Sequence, residues 1–397
     1  MSEAWWAPWR EWTTRSVTLT SGEANALRSS ELRFRLTERG GGLYEMATTR
    51  WVGVDTILGR QVAVHPKMDT GRLVYLLARG AKLPSFAGHA ALGPESDILH
   101  ALVEAYLVAL DAALVQGPLS AYVEVREDLA ALRGRIDIPR QYGQRFGLLP
   151  PVSCEFDDFT SDIEPNRRLL AAIDLLLAGT TKDTPPRLRL HASRLAQSVT
   201  RVRYAGTVEP LVLGRDVDAR MGRTAPAYRT AVALAESILN HGFVRFVPGA
   251  RRSMGFAVNM DNVYERFLFA ALGEALGAPR LQWSKPVLRL LAGDHETHVP
   301  DMVWWNRLRR PRLVLDAKWM NKHRKKNVRK MLTYCTALGI TKGVLVLGGG
   351  EERVDRVPLG NIEIYSWTLP VDGSIDELEA RLDAFATRLK ELAPGSP

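Results

Sequence analysis

The sequence is poor in cysteine: Cys154 and Cys335 are its only two. They supply neither a disulfide framework nor a four-thiolate zinc site, and such scarcity predicts a reducing, cytoplasmic setting. No apolar run approaches the ~20 residues that cross a bilayer, which argues against a helical membrane span. The opening MSEAWWAPWREW lacks the basic-then-apolar order of a secretory signal. No G-x-x-x-x-G-K-[ST] loop occurs, so the chain is not itself a P-loop NTPase. Internal repeats and low-complexity tracts are absent as well.

What is present is ordinary in amount and uneven in placing. Apolar residues make up 46% and charged residues 24% of the 397 residues, the proportions of a soluble globular protein. At roughly 100–200 residues per domain, the length predicts two or three domains. The net charge of +9 favours a polyanionic partner. Much of it gathers in the run KWMNKHRKKNVRK, Lys318–Lys330. Such a run is usually a solvated face, but beside a phosphodiester-cutting site it would contact backbone phosphates.

Residues from about Val17 to Lys67 read as short strands with glycine turns, a small β-barrel or sandwich-like domain within 1–90. Trp5, Trp6, Trp9 and Trp12 precede them, for packing on this chain or for docking on a partner. Residues 91–245 read as a mainly helical middle region. Helices are expected over Ser96–Gln116, Leu169–Leu177, His191–Val202 and Ala227–Asn240, with a turn at Gly134. The acidic stretch Glu155–Glu164 is better explained by charge favoured near a helix N-terminus than by metal binding. Residues 246–397 alternate between types: helix Val263–Leu276, strand Leu281–Leu291, a hairpin, helix Asn327–Leu338, then strands Gly343–Leu347 and Ile362–Trp367. The amphipathic helix Ser374–Leu392 closes the order, with Ser374 and Glu377 as a capping box. The chain is therefore expected to be α+β and multidomain, ending in a small α/β sheet flanked by helices.

The hairpin is the stretch with chemistry in it. In HVPDMVWWNRLRRPRLVLDAKWM, two runs rich in β-branched and aromatic residues flank a polar loop. A loop centred near Leu308–Arg309 sets Asp301 opposite Asp316, with Cβ atoms roughly 4.5–5.5 Å apart. Strand alternation adds Lys318 to the face of Asp316. Two carboxylates can hold a hard cation, and a neighbouring ammonium can orient an attacking water. On those residues alone, a surface ribbon with solvated charges is an equal reading. Glu265, on the helix before the sheet, is either a third carboxylate or a solvated, capping glutamate.

Pro300-Asp301 and Asp316-Ala317-Lys318 resemble the signature of the PD-(D/E)xK nuclease superfamily. Five stretches in order resemble the McrC family: Val52–Met68, Tyr122–Gln141, Phe156–Leu177, Asn259–Phe267 and the hairpin. The resemblance implies a C-terminal endonuclease domain over 246–397 that uses Mg2+, held by Asp301, Asp316 and Glu265, with Lys318 as the fourth catalytic residue. It implies an N-terminal part that engages and stimulates a McrB-like AAA+ GTPase ring. That ring would use GTP and recognise the modified base, 5-methylcytosine, in double-stranded DNA during restriction of foreign DNA. Lys322, Arg324, Lys325, Lys326, Lys330 and Tyr334 are the expected DNA contacts. One position departs from the pattern: Lys330 stands where such nucleases often carry glutamine, four residues before Tyr334. The alternative is a non-catalytic activator of the GTPase, with a degenerate nuclease fold.

Overall fold

The computed structural model describes residues 4–80, 98–146, 148–179, 186–209, 211, 213, 217, 220–247, 251–279, 282–289, 297–320, 325–349 and 354–393. It is mixed α+β and divides into two compact units, Met1–Ala105 with Arg245–Pro397, and Tyr106–Val244.

The first segment runs β1 (Trp9–Arg10), β2 (Thr14–Thr18), α1 (Ser21–Arg28), β3 (Arg35–Gly40), β4 (Leu43–Ala47), β5 (Trp51–Ile57), β6 (Arg60–His65) and α2 (Thr70–Gly80). Alternation operates in β4, where Tyr44 and Met46 are buried and their neighbours are not. Residues 21–28 lie in the region expected to be strands, yet they are helical. Thr20 and Glu23 close a capping box that satisfies the first-turn N–H groups. Strands β2, β4 and β3 form one antiparallel sheet. Of the tryptophans, Trp5 and Trp9 are buried, while Trp6 and Trp12 are exposed.

The second unit holds the end of α3 (Ile98–Ala113), then β7 (Ala121–Leu129), β8 (Arg135–Ile136), α4 (Ile138–Arg145), β9 (Val152–Thr160), α5 (Glu164–Gly179), α6 (Pro186–Ala196) and α7 (Ala225–His241). Its sheet has the order β7-β9-β8. The acidic stretch Glu155–Glu164 begins in β9, where Arg135 and Arg126 neutralise Glu155, and ends with Glu164 in the first turn of α5. Buried Asn166 donates to the carbonyls of Leu119 and Ser161, tying α5 to the chain ahead of β7.

The last segment contains β10 (Gly242–Val247), β11 (Arg251–Asn259), α8 (Met260–Ala275), β12 (Trp283–Ser284), β13 (Leu288–Arg289), β14 (Thr297–His298), β15 (Met302–Trp305), β16 (Pro311–Lys318), α9 (Lys325–Leu338), β17 (Lys342–Leu347), β18 (Val354–Leu359), β19 (Ile362–Thr368) and α10 (Ile375–Leu392). Strand β11 pairs antiparallel with β5, giving a five-stranded sheet β1-β6-β5-β11-β10 that joins this segment to the first. Gly53 permits the pairing: its φ is +142°, and a Cβ there would strike the Phe256 carbonyl. The continuous strand expected over Leu281–Leu291 is broken at Lys285-Pro286-Val287, since Pro286 has no N–H for a ladder. Leu281, Leu290 and Leu291 lie outside the described residues.

The larger sheet has the order β12-β15-β16-β17-β19-β18. Its centre, β16, β17 and β19, is parallel, and the pairs outside it are antiparallel. Val303, Val314, Leu345 and Ile364 are buried with Met331, Tyr334 and Cys335 of α9. Gly343 sets how closely α9 approaches, because a Cβ there would lie 2.6 Å from Met331 Cε. The alternate residues of β16, Leu313, Leu315 and Ala317, are buried too, and α8 packs on β16. A strand buried on both faces tolerates a charged side chain only where partners meet it.

Candidate active site

The hairpin turn is built by Asn306, whose Oδ1 accepts from the N–H groups of Leu308 and Arg310, each at 2.9 Å. Arg309 takes the left-handed conformation, φ +58°. The resulting register pairs Met302 with Leu315 and Val303 with Val314. Continued by one residue, it sets Asp301 beside Asp316, as the symmetry of the loop predicts. Asp301 Oδ2 accepts the Ala317 N–H at 2.7 Å. Asp316 is wholly buried on the central strand.

Two ammonium groups meet these carboxylates. Lys318 Nζ is ion-paired with Asp316 Oδ2, lies 3.5 Å from Asp301 Oδ2, and donates to the Ala317 carbonyl at 2.7 Å. Lys330, one helical turn before Tyr334 on α9, brings Nζ to 3.4 Å from Asp316 Oδ1. The Tyr334 ring lies 5.2 Å from that ammonium, and its hydroxyl donates to the Val299 carbonyl at 2.8 Å.

Burial, then repulsion from Asp316, pushes the Asp301 carboxyl up to about 7. Lys318 opposes the rise and Glu265 adds to it. Partial burial alone would lower the pKa of Lys330, but Asp316 and then Tyr334 hold it above its ordinary value. Glu265 sits on α8, ion-paired with Lys285. Among the described residues, no group of three His, Cys, Asp or Glu side chains is gathered closely enough to hold a metal. The structure therefore brings Asp301, Asp316, Lys318 and Lys330 together and keeps Glu265 on its own lysine. Lys325 and Lys326 are exposed on the first turn of α9, whereas Lys322 and Arg324 lie outside the described residues.

Three residues near the site carry no signal in the sequence. Lys285 is one lysine among many, and its pairing with Glu265 joins residues 20 positions apart that only the tertiary fold brings together. Trp319, directly after Lys318, donates its indole N–H to Glu11 at 2.8 Å, and the same buried carboxylate accepts the Lys67 N–H at 2.8 Å. These contacts fasten the end of β16 to the first segment of the chain.

No curated protein matches this chain. Among solved structures, one match is a chain of the refined half-complex from a tetradecameric assembly of Thermococcus gammatolerans McrB AAA+ hexamers with bound McrC. It shares 14% identity and a TM-score of 0.52, covering 96% of this chain and 99% of that one. That likeness is one of fold. Another, from the cryo-EM structure of the Thermococcus gammatolerans McrBC complex, shares 16% identity with a TM-score of 0.38, covering 69% of this chain and 88% of that one. The family described as McrBC 5-methylcytosine restriction system component matches residues 46–347, a span that takes in the hairpin, Glu265 and Lys330. With most of its length inside that match, the chain belongs to the family of McrBC 5-methylcytosine restriction system components.

Proposed function

We propose that this chain is the metal-dependent DNA-cleaving subunit of a McrBC-type restriction system, cutting modified double-stranded DNA when assembled with a ring-forming AAA+ GTPase. One observation carries the reading: Asp301 and Asp316 meet beside the Lys318 ammonium in a chain of this family. The fold likeness to a chain from an assembly of McrB AAA+ hexamers with bound McrC supports the ring as partner. GTP would be used by that ring.

The residues fit a hard divalent ion such as Mg2+. Two carboxylates converge, and the causes that lift Asp301, burial and a second negative charge, are ones a bound dication would offset. Asp301 and Asp316 would hold it together with the Ala317 carbonyl, with Glu265 as the candidate third carboxylate. Such an ion supplies charge stabilisation to the phosphate under attack. Lys318 orients the attacking water, because its ammonium is held among Asp301, Asp316 and the Ala317 carbonyl. Lys325 and Lys326 on α9, with Lys322 and Arg324 ahead of them, neutralise DNA phosphates, and Tyr334 keeps its ring under Lys330.

The test is Asp316→Asn, assayed for DNA cutting and for GTP turnover with the ring present. Cutting should fall about 100-fold or more while turnover persists. A variant that cuts at the wild-type rate would refute the assignment. Stimulated turnover with no cutting by either protein would make the chain a non-catalytic activator.

A further inference from the structure

The two oxygens of Asp316 face different lysines, and the two lysines are held differently. Lys318 has three oxygens around its ammonium: Asp316 Oδ2 and Asp301 Oδ2 as ion-pair partners, and the Ala317 carbonyl, to which it donates. Its side chain is only 18% exposed. Lys330 has Asp316 Oδ1 at 3.4 Å and the Tyr334 ring, and its side chain is 43% exposed. Lys330 can therefore swing into solvent on its long stem at little cost in packing, whereas Lys318 cannot.

We propose that Lys330 is a displaceable counter-ion of Asp316, which holds off a divalent ion until a DNA phosphate takes its ammonium. The inference rests on the nuclease reading and deepens it. In the free protein, Asp301 and Asp316 carry at most two negative charges, and Lys318 and Lys330 carry two positive ones. An entering dication meets a site that is neutral or positive, with Oδ1 already engaged. A phosphodiester arriving at α9 offers Lys330 a second anion. Once Lys330 moves to the phosphate, Oδ1 is released and the local charge swings towards the ion. Metal and DNA then favour each other's binding, and by linkage the favour is the same in both directions. A free protein built this way carries little metal away from DNA.

The experiment measures Ca2+ binding to metal-free full-length protein by calorimetry, with and without a duplex oligonucleotide, for wild type, Lys330→Gln and Lys330→Arg. Without DNA, Lys330→Gln should bind Ca2+ about tenfold more tightly than wild type, while Lys330→Arg, which keeps the charge, stays close to wild type. The duplex should tighten Ca2+ binding about tenfold in wild type and less than about twofold in Lys330→Gln. Equal or weaker Ca2+ binding by Lys330→Gln without DNA, no measurable binding included, would overturn the proposal. So would an equal effect of the duplex on the two proteins. Asp301→Asn/Asp316→Asn separates the two readings. If that double variant binds Ca2+ as wild type does, the ion sits elsewhere and the nuclease site itself fails.

Discussion

Replacing Asp301 by asparagine should stabilise the metal-free protein, and increasingly so as pH rises. In the folded chain the Asp301 carboxyl is pushed up to about 7, against about 3.9 for an unperturbed aspartate. The unfolded chain therefore loses this proton near pH 4 and the folded chain near pH 7. Between those values the folded state binds more protons, so stability falls as pH rises through the window. At roughly a kcal/mol per pH unit, the cost is about 1–2 kcal/mol at pH 5 and about 4 kcal/mol at pH 8. Asparagine keeps an oxygen for the Ala317 N–H, which Asp301 accepts at 2.7 Å, and never ionises. The stability gap between Asp301→Asn and wild type should thus widen by about 2–3 kcal/mol from pH 5 to pH 8. Urea unfolding in EDTA at the two pH values measures it. A gap that stays constant or narrows would refute the claim that burial beside Asp316 costs this carboxylate its charge. Adding Mg2+ together with a DNA duplex at pH 8 should stabilise wild type more than the variant, because only wild type keeps both carboxylates.

Trp319→Phe keeps most of the ring but removes the N–H given to Glu11. Unfolding should show a loss of about 1.5–3 kcal/mol, the range for a hydrogen bond to a charged group, and a loss below 0.5 kcal/mol would mean the bond is idle. Burial pushes the Cys335 thiol up to about 12, and Cys154 is buried as well. Neither should react with an aromatic disulfide reagent at pH 8 until denaturant is added, and rapid native labelling of either would contradict this packing.

The hairpin was legible because its information is local. Two runs of strand formers fix the ribbon, and Asp301 and Asp316 stand equally far from Leu308–Arg309, so no distant contact is needed to set their register. The Ser374–Glu377 capping box was legible for the same reason. The pairing of β11 with β5 was not, because it joins residues about two hundred positions apart and nothing in either strand's sequence marks the other as its partner. Strand β18 escaped because Val354–Leu359 contains Asp355, Arg356 and Pro358. Such residues argue against a central strand and are tolerated at the sheet edge that it occupies. The helix that carries Glu265 is legible in the sequence, but its lysine partner depends on tertiary folding.

The bond between Glu11 and Trp319, together with the sheet shared by β5 and β11, bears on how this protein could be taken apart. A fragment starting at residue 245 would leave the edge of β11 bare and the indole beside the Asp-x-Lys strand without its acceptor. On the proposed nuclease reading, cutting power would therefore not be a cassette that can be lifted out and grafted onto another targeting module. On the same reading, loss of Glu11 should blunt the site from the far end of the polypeptide.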